Sequence, residues 1–344
     1  MRDLESGGVR IYLRVPLRRV ACRTCQAVKT ERLEWLADNP RFTRRFALYV
    51  GRLCREMTVK RVATLLHLTW DQVKELEKQY MQAVLAKAPA VRPRALGIDE
   101  VSRRKGHDYR ILVSDLDAKR PIWYGGTGRK EEDLDLFYAW LGPDKTAQLE
   151  LAVMDMWKPF RASTTTQAPQ ARIIFDKFHV LRHLGVALDA VRKSEYRRVA
   201  AEDRAFIKGQ KYTLLSARAN LTLEGRQALR KLLKANRRLQ TAYLLKESFG
   251  QLWNYQRAGN ARRFFENWRA QLRWQRLPSY VKFARMIDRH WDGIAAYCHP
   301  DNKVSLGFVE GVNNKVRLIQ RRAFGLRDEE YLRLKILTAF LPEL

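Results

Sequence analysis

Ala95-Leu-Gly-Ile-Asp99-Glu-Val101 is the stretch on which the fold turns. The apolar run Ala95 to Ile98 follows a Pro-interrupted segment between Ala90 and Arg94, is too short for a helix and ends on a carboxylate, so it reads as a buried strand. Four more short apolar runs follow it: Tyr109 to Val113, Pro121 to Tyr124, Leu149 to Met154 and Ala171 to Phe175. The first three are separated only by polar or Gly-bearing turns, as in an antiparallel meander. Glu131 to Leu141 has helical spacing and leads into the fourth strand.

A three-strand meander followed by helix-linked strands fits an RNase H-like mixed sheet, and its surroundings are helical on both sides. Upstream, from Pro40 to Tyr80, Thr58 and Thr69 stand where two helix N-caps would sit. Val59, Val62, Ala63 and Leu66 give the first helix an apolar face, Leu68 closes the turn, and Val73 and Leu76 give the second its buried side. That is helix-turn-helix spacing, in which Thr69, Trp70, Gln72 and Lys74 open the helix that would enter a major groove. A three-helix packing unit without DNA contact is the alternative. Downstream, Val180 to His299 reads as an all-α unit rich in Arg and Lys. Its Phe264, Phe265, Trp268 and Leu272 recur at core spacing, with base stacking as the other reading.

The 344 residues carry a formal net charge of +29 with 46% apolar residues and four cysteines. A disulfide scaffold and a disordered chain are excluded, and no run approaches a membrane span. A surplus of positive charge on this scale points to nucleic acid. Met1 to Leu17 lacks the apolar core of a secretory signal, so a cytoplasmic location is expected. Cys22-x-x-Cys25 has the spacing of half a zinc site, which Cys54 and His67 could complete only if folding brought them close.

Three carboxylates fall where metal-dependent phosphoryl transfer would need them. Asp99 closes the first strand, Asp155 closes the fourth in Leu-Ala-Val-Met-Asp-Met-Trp, and Glu310 opens a helix in Gly-Phe-Val-Glu-Gly-Val-Asn-Asn-Lys. Hard oxygen ligands from separate elements suit a pair of Mg²⁺ ions, with Mn²⁺ as a substitute. On the Glu310 helix, Val309, Val312, Val316, Ile319 and Ala323 share an apolar face. Glu310, Asn313, Asn314, Arg317 and Arg321 fall opposite, and Lys315 and Arg322 add cations that could sit over phosphates. A solvated charge stripe is the plain alternative. Asp176 ends the fifth strand and His179 lies one turn beyond. They could orient an acidic ligand or touch DNA, or serve only as a helix cap and a packed histidine.

Gly-Ile-Asp99-Glu, Asp155-Met-Trp, Phe175-Asp-Lys-Phe-His179-Val, Phe308-Val-Glu310-Gly-Val-Asn-Asn-Lys-Val-Arg and Arg321-Arg-Ala-Phe-Gly-Leu-Arg327 together resemble the ISL3 family of bacterial insertion-sequence transposases. The resemblance implies an α/β fold: a RNase H-like DDE catalytic core with an acidic triad of Asp99, Asp155 and Glu310, two Mg²⁺ ions and a large all-α insertion. It implies residues 1–39 as a residual zinc-module segment, 40–90 as the helix-turn-helix region and 91–180 as the first part of the core. The insertion is then 181–300, and 301–344 completes the core. Relatives carry a second Cys pair upstream of Cys22 and Cys25, so zinc is an open expectation here. Ser163-Thr-Thr-Thr-Gln is a poor helix sequence where a helix is expected.

The activity so implied is binding of terminal inverted repeats, cleavage and strand transfer into target DNA by a homo-oligomer, a dimer on DNA, near the nucleoid and away from membranes. A non-catalytic DNA-binding remnant that represses its own element is the second reading, and a stand-alone RNase H-like nuclease is the third.

Overall fold

The computed structural model describes residues 1–31, 33–104, 108–199, 201–304, 307–323 and 326–344. Phe324 and Gly325 of the Arg321 to Arg327 motif lie outside the described residues. In chain order the elements begin with β1 (Arg19–Ala21), β2 (Val28–Thr30), α1 (Arg44–Glu56), α2 (Val59–Leu66) and α3 (Trp70–Ala86). Next come β3 (Ala95–Arg104), β4 (Asp108–Asp115), β5 (Arg120–Gly125), α4 (Glu131–Leu141), α5 (Pro143–Thr146), β6 (Leu151–Met154), α6 (Lys158–Gln167) and β7 (Arg172–Phe175). The helices α7 (Lys177–Arg198), α8 (Ala201–Gly209), α9 (Lys211–Leu215), α10 (Leu223–Ala235), α11 (Arg237–Phe249), α12 (Ala258–Ala270), α13 (Pro278–Arg289) and α14 (Trp291–Ala296) follow. The chain ends with α15 (Gly307–Arg322) and α16 (Glu329–Thr338).

Two compact units divide the chain. One comprises Met1–Val91, Lys119–Gly125 and Glu310–Leu344, the other Arg92–Ala118 and Gly126–Val309.

In the first unit, α1 and α2 both pack on α3. Thr58 and Thr69 cap α2 and α3 as expected, each hydroxyl accepting a backbone N–H three residues on. His67 takes the left-handed conformation, φ 51°, and turns the chain sharply between the helices. Val62, Leu66, Val73 and Leu76 are buried in the shared core, as the spacing predicts. The same unit packs α16 against both α3 and β5. Buried Glu77 of α3 accepts from the Tyr331 hydroxyl and pairs with Lys335, both on α16. The hairpin β1–β2 is exposed along its length.

The second unit holds four strands of a mixed sheet in the order β4-β3-β6-β7. β3 and β4 are antiparallel, with Asp99 level with Leu112, whereas β3–β6 and β6–β7 are parallel. The strand ends differ from expectation in one way that matters: β3 does not stop at Asp99 but runs on to Arg104, because β4 keeps pairing with it past Glu100. Asp99 is therefore a strand end only on the β6 side. Leu96, Ala152, Val153 and Ile174 are buried at 0–1% exposure beneath it.

The Ser163-Thr-Thr-Thr-Gln segment is helical after all, as the end of α6. Tertiary hydrogen bonds override its poor propensity: Ser163 Oγ donates to Asp135 at 2.6 Å and the Tyr138 hydroxyl to Thr164 at 2.9 Å, both from α4. The predicted all-α stretch is present as α7 to α14, in which Phe265, Trp268 and Leu272 are core and Phe264 leans on Tyr255.

Candidate active site and nucleic-acid interface

The register of the two parallel strands builds the acidic pair. Gly97 pairs with Val153, the last pair of that ladder, and two residues further on each chain come Asp99, still on β3, and Asp155, just past the end of β6. The two carboxylates lie near enough beyond the end of β6 for the charge of Asp99 to act on Asp155. Asp99 is buried and Asp155 half-buried. Burial pushes the Asp155 carboxyl up to about 6; His179 pulls it down, while the negative charges of Asp99 and Glu100 add to the rise.

The neighbouring strand supplies the expected accessory pair. The Asp176 amide donates to the Met154 carbonyl at 2.8 Å, and its carboxylate accepts from the Phe178 amide, capping α7. One turn on, His179 is half-buried, and its buried Nδ1 has no hydrogen-bond partner among the described residues. Asp176 thus serves as the cap, and His179 is the member that faces the acidic pair electrostatically.

A cluster that the spacing of the sequence does not reveal surrounds this pair. Arg129 Nη1 donates to both carboxylate oxygens of Glu100, the residue after Asp99, at 3.0 and 3.2 Å. Its guanidinium lies 4.5 Å from the Trp157 ring centre and 4.8 Å from that of Tyr109. The Trp157 indole N–H donates to the Arg129 carbonyl at 2.8 Å, and the Trp157 amide to Asp155 at 3.0 Å. Asp133 shapes the loop that presents Arg129 by accepting from the Thr127 and Lys130 amides. Burial works against that carboxylate, yet these amides and that of Gly128 hold it below the usual range. Arg129 therefore links Glu100 on β3 to Trp157, whose amide holds Asp155. The Gly-Ile-Asp-Glu and Asp-Met-Trp motifs are partial signals for Glu100 and Trp157, whereas Arg129 carries none.

Val309 belongs to the same unit and lies in the core cluster of Ala95, Leu151, Val153 and Ile174. Its successor Glu310 opens the part of α15 that belongs to the first unit. There Arg317 pairs with Glu310 at 3.8 Å and donates to Asn314 at 3.0 Å. Asn314, Lys315, Arg317 and Arg321 are exposed, while Arg322 donates to the Arg55 carbonyl at 3.0 Å. Val309, Val312 and Val316 are buried as expected. Asn313 departs from expectation: it is buried, because it lies four residues, one turn, after buried Val309.

Of the residues opening α3, Thr69 and Gln72 hold each other in a capping box, with the Gln72 carbonyl oxygen accepting from the Thr69 amide. Lys74 pairs with Asp328 at 2.8 Å. Trp70 is 49% exposed, and Asp71 and Glu75 beside it face solvent. Exposed cations of the three helices lie instead on α1 and α2, at Arg44, Arg45, Arg52, Lys60 and Arg61.

Cys54 is buried in the three-helix core, with its thiol pushed up chiefly by burial, and His67 is an exposed helix cap, so neither is disposed as a zinc ligand. Cys22 and Cys25 sit in the β1–β2 turn, where hydrogen bonds from Cys25 and Thr24 lower the Cys22 thiol. Among the described residues no three His, Cys, Asp or Glu side chains come together as a metal cage. No described helix is long and apolar enough to cross a membrane.

Residues 96–336 match the transposase model of the ISL3-type DDE class, and residues 31–81 match the helix-turn-helix domain of transposase family ISL3. The chain belongs to the ISL3 transposase family. It is 34% identical over 344 residues to the transposase for insertion sequence element IS1001 of Bordetella parapertussis, covering 99% of this chain and 84% of that protein. It is 26% identical over 355 residues to the transposase for element IS1557 of Mycobacterium tuberculosis, covering 96% and 79%. For an ISL3 member, the two matched segments coincide with the two places where the helix-turn-helix and the acidic pair are built.

Proposed function

We propose that this chain is the transposase of an insertion sequence, binding the element's terminal inverted repeats and catalysing metal-dependent strand cleavage and strand transfer. The observation that carries the reading is that Asp155, just past the end of β6, feels the charge of Asp99 on the parallel neighbour β3, and is held up to about 6 by burial and by that like charge. Two hard carboxylates that oppose each other's ionisation form a donor set suited to a divalent cation, and the orphan Nδ1 of His179 adds polar capacity beside them. Asp99 and Asp155, completed by Glu310, would hold Mg²⁺ or Mn²⁺. Such ions stabilise charge on phosphoryl oxygens and activate the attacking hydroxyl.

The chain's own residues have separable tasks. Arg129 fixes the two acid-bearing strands through Glu100 and Trp157 and leaves little freedom in the carboxylate spacing. His179 orients the acidic pair from the first turn of α7. The cations Lys315, Arg317, Arg321 and Arg322, with Asn314, grip the phosphates of the cut strand. Region 40–90 reads the element end through the opening of α3, where Thr69, Trp70, Gln72 and Lys74 stand, while exposed cations on α1 and α2 contact the backbone. Residues 91–180 and 301–344 then form a RNase H-like core around the 181–300 insertion, and two copies act together on DNA.

The test uses Asp99→Asn, Asp155→Asn and Glu310→Gln, which remove ligand charge with little change in shape. Nicking of element-end DNA in Mg²⁺ or Mn²⁺ is expected to vanish in each, with duplex binding near wild type. Ca²⁺ should support binding without turnover. Nicking that survives in one variant removes that residue from the site. A wild-type chain that binds but never nicks would be a DNA-binding remnant instead.

A further inference from the structure

Trp274 is the most exposed large apolar side chain among the described residues, at 78%. It stands in the 3₁₀ turn Gln271–Trp274 between α12 and α13. The Arg273 guanidinium lies 5.0 Å from the centre of its ring and covers one face. Two residues on, Arg276 holds φ at 49°, a left-handed conformation costly for a side chain of that size. The turn is therefore held in a shape its own residues do not prefer.

Behind the indole lies a cavity of about 550 Å³, lined by Ser194, Arg198, Arg238, Trp274, Gln275 and Arg276 among others. Among the described residues no carboxylate lines it. Arg198 and Arg238 both share Glu195, at 3.3 and 3.0 Å, so one negative charge answers two positive ones. Arg238 also donates to the Arg276 carbonyl at 2.7 Å, and its buried Nε has no partner. The arginine is thus fixed in place with donor capacity unspent. An open aromatic face beside a cationic, donor-rich cavity of this size matches what an unpaired nucleotide requires: a stacking surface for the base and positive charge for the phosphate.

Position supports this occupant. Ser194 and Arg198 lie on α7, whose first turn carries His179 beside the acidic pair, and fifteen residues of helix from His179 to Ser194 span roughly 22 Å. DNA held at the acidic pair could extend that far along the same unit.

We propose that Trp274 and the Arg198–Arg238–Arg276 cavity bind an unpaired base of DNA that runs along α7 from the acidic pair. The inference rests on the DNA-processing reading above, and its test separates the two. Intact protein is titrated with a fluorescein-labelled single-stranded 20-mer and with the matching duplex, using wild type, Trp274→Ala, Trp274→Phe and Arg276→Gly. Loss of one stacked base should weaken single-strand binding about 5- to 100-fold in Trp274→Ala, with duplex binding unchanged. Trp274→Phe should recover most of the loss. Arg276→Gly, which relieves the left-handed strain, should stay folded and lose single-strand affinity modestly.

Unchanged single-strand affinity in Trp274→Ala overturns the inference, and so does an equal loss on both DNAs. A shift only in sedimentation of Trp274→Ala would make the patch a contact between copies and would also overturn it. Wild-type protein that binds neither DNA sinks the DNA reading itself.

Discussion

Val309 sits on Gly97: a Cβ added to Gly97 would stand 2.7 Å from Val309 Cγ2 and 2.9 Å from Leu116 Cδ2. Gly97 lies two residues before Asp99, and Val309 immediately precedes Glu310. The missing side chain therefore lets Val309 rest on the strand that carries Asp99.

Gly97→Ala is accordingly expected to displace one of these neighbours. Overpacking of this kind costs about 1–3 kcal/mol of stability, which a denaturant melt would read. Nicking should fall further than duplex binding, because the disturbed residues adjoin two acids. Val309→Ala makes room at the same point, so the double variant should regain part of both losses. Full activity in Gly97→Ala alone would show that the seat of Val309 is immaterial.

Arg129 is expected to act as a positioning residue. Lysine keeps its charge but has no planar guanidinium to lie against both the Tyr109 and Trp157 rings while it reaches Glu100. Arg129→Lys should lower kcat for nicking about 10- to 100-fold with KM little altered, since small misplacements of reacting groups are costly. Because Glu100 contributes to the raised Asp155 carboxyl, the acid limb of the pH–rate profile should move as well. A rise in KM alone would instead make Arg129 a DNA contact.

Much of this architecture is legible from local rules. Thr58 and Thr69 announce their helices because N-caps depend on residue type a few positions away, and α4 has the predicted limits because its periodicity is uninterrupted. Asp99 and Asp155 are legible as ends of apolar runs, although the extension of β3 past Asp99 depends on β4 and is not. Arg129, Glu100 and Trp157 meet across long stretches of chain, and no local pattern marks such a meeting. The α6 helix misleads for the same reason, its support coming from Asp135 and Tyr138 on α4. On α3, the residues that look ready to read bases are partly committed elsewhere, Gln72 to the cap and Lys74 to Asp328.

That last commitment carries a pH dependence. Asp328 is pulled down to about 2, first by its hydrogen bond from Lys74 and then by the Tyr331 amide that it caps. An aspartate in the unfolded chain titrates near ~3.9. The folded state thus binds this proton less readily, and the interaction stabilises fully above that value and is lost as pH falls through about 2. Lys74→Met removes the larger cause while Lys78, 3.6 Å from the same carboxylate, remains. In the variant, the Asp328 carboxyl should titrate closer to the unfolded value, and acid unfolding of the α3–α16 contact should begin at higher pH. Carboxyl NMR titration with far-UV melts between pH 2 and 6 reads both effects. An Asp328 titration unmoved by Lys74→Met would mean that the Tyr331 amide and Lys78 set it, and that Lys74 is free to meet DNA.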